Sequence, residues 1–312
     1  MFRSIDFPQA EGAVEQGDRM EEVATTILSG HHCLLGEGCT YDAVTDTAWW
    51  FDILERILFQ ADLASGAVSQ HGLPVMASVL AVIDDQRHLL ATEDGLYVRD
   101  VSGGRLRLHT PLEVDNAATR SNDGRVHPCG ALWIGTMGRK AEKGAGAIYR
   151  FHRGELLRLY AGISIPNAIC FSPDGATAYF TDSSEGILHR VAVDPESAMP
   201  IGDPATLFDH RGGMGGLDGA VVDADGLIWN ARWGGSCIDA YTPEGERART
   251  IRAPATQPSC PVFVGRNFDR LLVTTASEGM DEQAKAADPQ HGMTFILDVG
   301  AIGRAEPRVK LT

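Results

Sequence analysis

GALWIGT, residues 130–136, is a short apolar strand set between a turn-forming glycine and a polar stretch, and the chain repeats this form. TAWWFDI (47–53), RHLLATE (87–93), ATAYFTD (176–182), GLIWNAR (226–232) and RLLVTTA (270–276) share it. The six centres fall near residues 50, 90, 133, 179, 228 and 272, about 40 to 49 residues apart, which is the length of a four-stranded propeller blade. Partner strands follow at similar offsets, as in RILFQADL (56–63), GLYVRDV (95–101), GAIYRFH (146–152), GILHRVAV (186–193) and CIDAYTP (237–243). The pattern predicts an all-β fold, a six-bladed β-propeller with four-stranded antiparallel blades. Two consecutive β-sandwiches would also supply many strands, but they would not require one unit six times, and no Pro/Gly/Ser linker divides the chain.

Residues 1–22 read as an N-terminal extension and 23–312 as a single propeller domain. The sixth blade has TFILDV (294–299) as its third strand and then runs short of sequence. VATTIL (23–28) is expected to close the ring in preference to the C-terminal PRVKLT (307–312), because an open edge strand invites aggregation. DEQAKAADPQ (281–290) reads as a polar loop.

Composition narrows the function. Glycine supplies 35 of 312 residues, about 11% against a usual 7%, as expected of a chain with many tight turns. With 42 acidic and 27 basic residues the formal charge is −15, a field that disfavours nucleic acid and anionic membrane partners. Six scattered cysteines without a CxxC pair read as isolated thiols. No signal-type core precedes residue 23 and no run of 18 apolar residues occurs, so a cytoplasmic location is expected.

In a propeller the strand preceding each repeated strand lines the central channel. Those segments are LLGEGCTYD (34–42), ATRSNDGRVHP (118–128), SIPNAICFSPDG (164–175), GLDGAVVDADG (216–226) and TQPSCPVFVG (256–265). Four of them carry a carboxylate or amide just before apolar residues: Glu37, Asn122, Asn167 and Asp218. Two carboxylates and an amide oxygen near one axis remain poorly satisfied unless a cation lies between them, and oxygen ligands suit a divalent ion. Taken alone, Glu37 or Asp218 could equally cap a turn. Apart from the adjacent His31 and His32, which diverge from one another, the histidines sit singly in strands or turns and read as structural, with His127 the one retained as a pocket residue. Trp233 could offer a flat wall to a sugar ring or pack the mouth.

These segments, in this order, resemble the SMP-30/gluconolactonase family of regucalcin-like sugar lactonases. LLGEGCTYD with WWFDI is similar to the family's opening glutamate signature, and TRSNDGRVHPCGALWIGTM to its Arg-x-Asn-Asp-Gly segment. IPNAICFSPDGATAYFTDS, LDGAVVDADGLIWNARWGG and TQPSCPVFVG resemble the later segments, so the likeness spans about residues 23 to 299. The resemblance implies Glu37, Asn167 and Asp218 as ligands of one divalent ion, with calcium favoured and zinc, magnesium, manganese or iron as alternatives. It also implies Arg120 and Asn122 as substrate contacts and Asp218 as general base for opening an aldonolactone. Lys140 stands where animal members carry a substrate-contacting glutamate; facing the pocket, its charge would favour an oxygen-rich or anionic lactone, and the alternative reading is a solvated loop lysine beside Glu142 and Lys143. Asn167-Ala168 replaces the usual Asn-Gly, and Cys39 replaces a proline. Competing readings are a metal-dependent esterase or organophosphate hydrolase on the same fold, and a non-catalytic calcium-binding propeller.

Overall fold

The strand TAWWFDI is apolar at consecutive positions because both of its faces are covered. In the computed structural model, which describes residues 20–312, Trp49 and Phe51 pack into one interblade core, while Ala48 and Trp50 pack into the next. An alternating apolar pattern serves a sheet with one wet face; a sheet wedged between two others buries both. The same division gives six apolar cores, each shared by two neighbouring sheets, which together complete a ring.

The first blade is built from β2 (Gly36–Asp42), β3 (Thr47–Asp52), β4 (Ile57–Asp62) and β5 (Ala67–Gly72), after a single strand β1 (Thr25–Ser29). The second is β6 (Ala77–Asp84), β7 (Arg87–Thr92), β8 (Gly95–Asp100) and β9 (Leu106–Pro111). The third is β10 (Thr119–Val126), β11 (Leu132–Gly138), β12 (Gly146–His152) and β13 (Glu155–Ile163). The fourth is β14 (Pro166–Phe171), β15 (Thr177–Asp182), β16 (Ile187–Val193) and β17 (Pro200–Asp209). The fifth is β18 (Gly216–Val222), β19 (Ile228–Trp233), β20 (Cys237–Tyr241) and β21 (Arg247–Arg252). The sixth holds β22 (Pro258–Val264), β23 (Arg270–Thr275) and β24 (Thr294–Leu297), with β1 as its outermost strand. The fold is thus the all-β, six-bladed propeller with four-stranded antiparallel blades that the repeat predicts.

Ring closure uses the expected N-terminal segment: Thr25, Thr26 and Ile27 pair antiparallel with Leu297, Ile296 and Phe295. Residues 1–19 of the expected extension lie outside the described residues. The segment expected as a loop at 281–290 contains a short helix, α1 (Glu282–Ala287), because the Asp281 side chain accepts from Ala284 N–H and so caps an alanine-rich turn. No helix among the described residues is long and apolar enough to cross a membrane. All six cysteines are free thiols.

PRVKLT forms no strand but has another role. The C-terminal segment crosses the end of the ring where the inner strands finish. Ile302 O accepts from Ala224 N–H in blade five, Arg304 donates to Pro173 O in blade four, Lys310 N–H donates to Gly130 O in blade three, and Val309 N–H donates to Val82 O in blade two. Glu306 reaches into the channel and pairs with Arg125 at 2.7 Å, with both side chains nearly buried. Arg125 also donates to Pro261 O, so one guanidinium ties blade three, blade six and the tail together. Glu306→Gln should leave that buried cation without its charge partner and lower unfolding free energy by about 3 kcal/mol, read from urea denaturation. A change below about 0.5 kcal/mol would show that the tail does not secure the channel.

Candidate metal centre

The inner strands do not run as unbroken ladders. Register shifts against the second strand lie between Glu37 and Thr40, Ser121 and Gly124, Asn167 and Cys170, Leu217 and Ala220, and Pro258 and Pro261. These are corresponding places in blades one, three, four, five and six. A bulge there turns a side chain out of the sheet and toward the channel. At the first of them Gly38 has φ +60°, and a Cβ would run into the carbonyl oxygen of Ser78, so glycine is required. At the fourth-blade position Ala168 occupies the left-handed region with φ +55°, a conformation that glycine would adopt without steric strain.

A single cavity at the end where the inner strands begin gathers the results of these bulges. Its polar lining is Glu37, Arg120, Asn122, Asn167, Asp218 and Glu278, with Ser183 beside them. Leu35, Met137, Ile165, Leu217 and Trp233 provide apolar walls. Five of the six expected site residues therefore meet, each from the start of a different inner strand except Arg120 and Asn122, which share β10. Lys140 does not join them. It is exposed in the turn after β11, its backbone N–H donates to Glu142, and it is not among the residues lining the cavity. His127 is a correction: it lies at the far end of β10, where Nδ1 accepts from Cys129 N–H and Nε2 donates to Gly175 O. That arrangement, with burial lowering its pKa, makes it a neutral structural bridge between blades three and four.

Hydrogen bonds set the orientation of the amide. Ser183 Oγ donates to Leu217 O at 2.5 Å, so it can only accept from Asn167 Nδ2, at 2.9 Å. Asn167 Oδ1 therefore faces Asn122, whose Nδ2 donates to it at 2.9 Å and to Pro166 O at 3.0 Å. Asn122 Oδ1 in turn accepts from Arg120 Nη1 at 2.9 Å. Each amide end has an assigned partner, and Oδ1 of Asn167 retains a second lone pair.

The carboxylates have fewer partners: Glu37 Oε2 accepts from Gly38 N–H at 2.9 Å, and Asp218 accepts from Gly219 N–H. Glu37 and Asp218 are both buried, at 8% and 4% exposure. The pKa values of both are raised, chiefly by burial, with the charge of Asp123 next for Glu37 and the charge of Glu37 next for Asp218. Asp123 lies beneath them and is held by Gly124 N–H and Ile169 N–H, each at 2.8 Å. Two desolvated carboxylates beside a fixed amide oxygen form an oxygen-rich donor set that a divalent cation would stabilise, and so the residues fit such an ion.

A second group also brings ligand types together: His31, Cys33 and Asp52 place ligand atoms within 4.8 Å of one another. Two cation sites are therefore candidates, but the second has a structural explanation. Asp52 accepts from Leu34 N–H at 2.7 Å and from Leu35 N–H at 3.1 Å. Asp182, at the end of the equivalent strand in blade four, accepts from Ser164 N–H and Ile165 N–H at the same two distances. The aspartate is thus a repeated turn cap, and burial pushes the Cys33 thiol up, away from the thiolate that a metal needs. The Glu37, Asn167 and Asp218 group is the better candidate.

Sequence reasoning missed Ser183 and Glu278. Ser183 follows the strand ATAYFTD and has an identifiable role only through Leu217 of the next blade. Glu278 follows RLLVTTA and resembles any polar turn residue until ring closure sets the sixth blade across the cavity from the third.

Comparison with known proteins finds relatives along most of the chain. Residues 35–277 match the family model described as SMP-30/Gluconolactonase/LRE-like region. A protein of Rhizobium meliloti (strain 1021), provisionally named a sugar lactone lactonase, is 56% identical over 89% of this chain and 94% of its own. The 6-deoxy-6-sulfogluconolactonase of Pseudomonas putida is 30% identical over 88% of this chain and 94% of its own. A crystal structure of a calcium-binding protein, regucalcin, from Agrobacterium tumefaciens str. C58 superimposes with a TM-score of 0.93 at 49% identity, covering 94% of this chain and all of that one.

Two outcomes are expected. Ser183→Ala releases the Asn167 amide to rotate and should weaken calcium affinity about 10-fold by titration calorimetry, as loss of a ligand-orienting contact does; unchanged affinity would dissociate Asn167 from the ion. In metal-free protein the raised pKa values of Glu37 and Asp218 mean that folding favours their protonated forms. That contribution is complete below the ordinary carboxylate range and is lost as pH rises through the raised values. The melting temperature of chelated protein should therefore fall between about pH 5 and 8 relative to a Glu37→Gln, Asp218→Asn double variant, and added calcium should abolish the difference. A parallel pH profile for the two proteins would count against the coupling.

Proposed function

The chain belongs to the SMP-30/gluconolactonase/LRE-like family, and from that premise we propose that it hydrolyses a sugar lactone to the aldonic acid with one divalent ion held by Glu37, Asn167 and Asp218. The observation that carries this reading is the convergence of two buried, mutually repelling carboxylates and a fixed amide oxygen in a cavity whose wall also presents Arg120 and Asn122. Lactonase names among the relatives support the reaction class, and the calcium-binding description of the Agrobacterium protein supports calcium as the first ion to test.

A divalent ion bound there would polarise the lactone carbonyl and stabilise negative charge on its oxygen. The protein supplies the remaining functions. Arg120 keeps Nη1 on Ser121 O and Asn122, and it makes no other hydrogen bond among the described residues, leaving Nε and Nη2 for a ring or carbonyl oxygen. Asn122 Nδ2 spends both of its N–H groups on Pro166 O and Asn167 Oδ1, while Oδ1, which accepts from Arg120, keeps a second lone pair for a substrate hydroxyl. Asp218 is the proposed proton acceptor from the attacking water, as a buried carboxylate that lines the cavity beside Asn167 and Glu37 and can turn one oxygen away from the ion. The apolar faces of Leu217 and Trp233 exclude bulk water and provide a flat surface for a sugar ring.

A panel separates this reading from its rivals. Chelator-stripped protein, reloaded with calcium, zinc, magnesium, manganese or ferrous ion, is assayed on five- and six-membered aldonolactones, simple esters and an organophosphate, with spontaneous hydrolysis subtracted. Metal-restored opening of aldonolactones is expected, and Asp218→Asn at saturating metal should lower kcat by about 10²- to 10⁴-fold. Metal binding without turnover of any substrate would favour a non-catalytic calcium-binding propeller, and preference for the organophosphate would move the assignment to that ester class.

A further inference from the structure

Glu278 is the acid in the cavity that neither the candidate metal group nor the proposed proton transfer uses. It follows β23, in a segment held from two sides. Gln257 Nε2 donates to the backbone carbonyls of Ala276 and Glu278 at 3.3 and 3.1 Å. Ser277 donates from N–H to Leu34 O and from Oγ to Cys33 O in blade one. The position of Glu278 is therefore set by the junction of the first and sixth blades. Its carboxylate, however, makes no hydrogen bond and no ion pair within 4 Å among the described residues. Instead it acts across the cavity on Arg120, where it is the foremost favourable charge, ahead of Glu37 and Asp218.

Two opposite charges that line the same cavity without closing on each other leave room for a ligand between them. Arg120 has only donors to offer, and Glu278, whose pKa burial raises against the opposing charge of Arg120, offers only acceptors when ionised. A ring bearing several hydroxyls can satisfy both, since a hydroxyl both donates and accepts. A ring bearing an additional carboxylate or sulfonate meets like charge at Glu278. The sum of charges points the same way: Glu37, Asp218 and Glu278 against Arg120 and one divalent ion is neutral, so no surplus positive charge awaits an anion. We propose that Glu278 is a specificity-determining substrate contact, which accepts hydrogen bonds from hydroxyls of a neutral polyhydroxylated lactone held on its other edge by Arg120, and selects against lactones with an anionic substituent. This deepens the lactonase reading and rests on it. It differs from the expectation placed on Lys140, which is exposed outside the cavity that Glu278 lines.

The test compares wild type with Glu278→Gln and Glu278→Lys, each calcium-loaded and with calcium affinity and melting temperature measured first. Turnover is read on a neutral aldonolactone and on the same lactone carrying an exocyclic carboxylate or sulfonate. Binding is read by calorimetry with the matching lactams, in which a ring nitrogen replaces the ring oxygen and hydrolysis does not interfere. Glu278→Gln should lower kcat/KM on the neutral lactone about 10-fold, mainly through KM, and Glu278→Lys should shift the neutral-to-anionic preference about 100-fold toward the anion. Calcium affinity should stay within about twofold, because Glu278 is outside the metal group. If both variants keep the wild-type preference, or if Glu278→Gln loses calcium instead of substrate, the proposal is overturned. Failure of the wild type to turn over any lactone would remove the lactonase reading, while lactam binding would still decide Glu278: preference for the neutral lactam that disappears in Glu278→Lys supports it, and no binding of either lactam rejects it.

Discussion

A ring of sheets is complete only if its last member touches its first, and here β1 joins the sixth blade by pairing Thr25, Thr26, Ile27 and Ser29 with β24 before the chain enters the first. The consequence is not confined to an edge. The cavity draws Glu37 from blade one, Arg120 and Asn122 from blade three, Asn167 from blade four, Asp218 from blade five and Glu278 from blade six. Glu37 and Glu278 lie on opposite sides of the closing junction, whose core is formed by Tyr41, Trp50 and Phe59 against Val262, Val264 and Leu272. Without closure the two acids have no fixed separation, and the electrostatics of the cavity are undefined. At the other end the C-terminal tail bridges the blades and places Glu306 on Arg125.

Within the closed ring, the inner-strand bulges convert a structural repeat into a site. A regular strand would direct alternate side chains into the two neighbouring cores. Two residues without ladder partners free one side chain per blade to face the channel. Where that residue is small and internally bonded, as Ser259 is to Gly36 O and Thr274, the position only fastens blades together. Where it is Asp218, with Glu37 on the last paired residue before the corresponding bulge of blade one, the protein holds repelling charges out of water, which a divalent ion would compensate. The stability lost there is what a bound cation would restore, and the hydrogen bonds among Ser183, Asn167 and Asn122 hold the candidate site in place.

Much of this was legible in the sequence, for identifiable reasons. Strands buried on both faces must be continuously apolar, so TAWWFDI and GALWIGT announce themselves and their spacing counts the blades. VATTIL is the only apolar strand left over near the N-terminus, and pairing it with TFILDV follows from the shortage in the sixth blade. Glu37, Asn122, Asn167 and Asp218 stand out because polar groups directly before apolar inner strands need an explanation. Arg120 came from the family resemblance.

The remainder depended on which way a side chain turns. Lys140 and Glu278 both follow the end of a second strand, by two and three residues, yet one faces solvent and the other the cavity. Residue type does not distinguish them; the contacts of Gln257, Cys33 and Leu34 around residues 276–278 do. His127 and Asp52 carry ligand atoms but spend them on backbone groups of neighbouring segments. By itself the sequence determined the repeat, the number of blades and the order of the chemical groups around the ring, because those follow from local apolar pattern and covalent order. Only the tertiary structure decided which of the polar groups share one cavity, because that is set by bulges and by contacts between blades far apart in the chain.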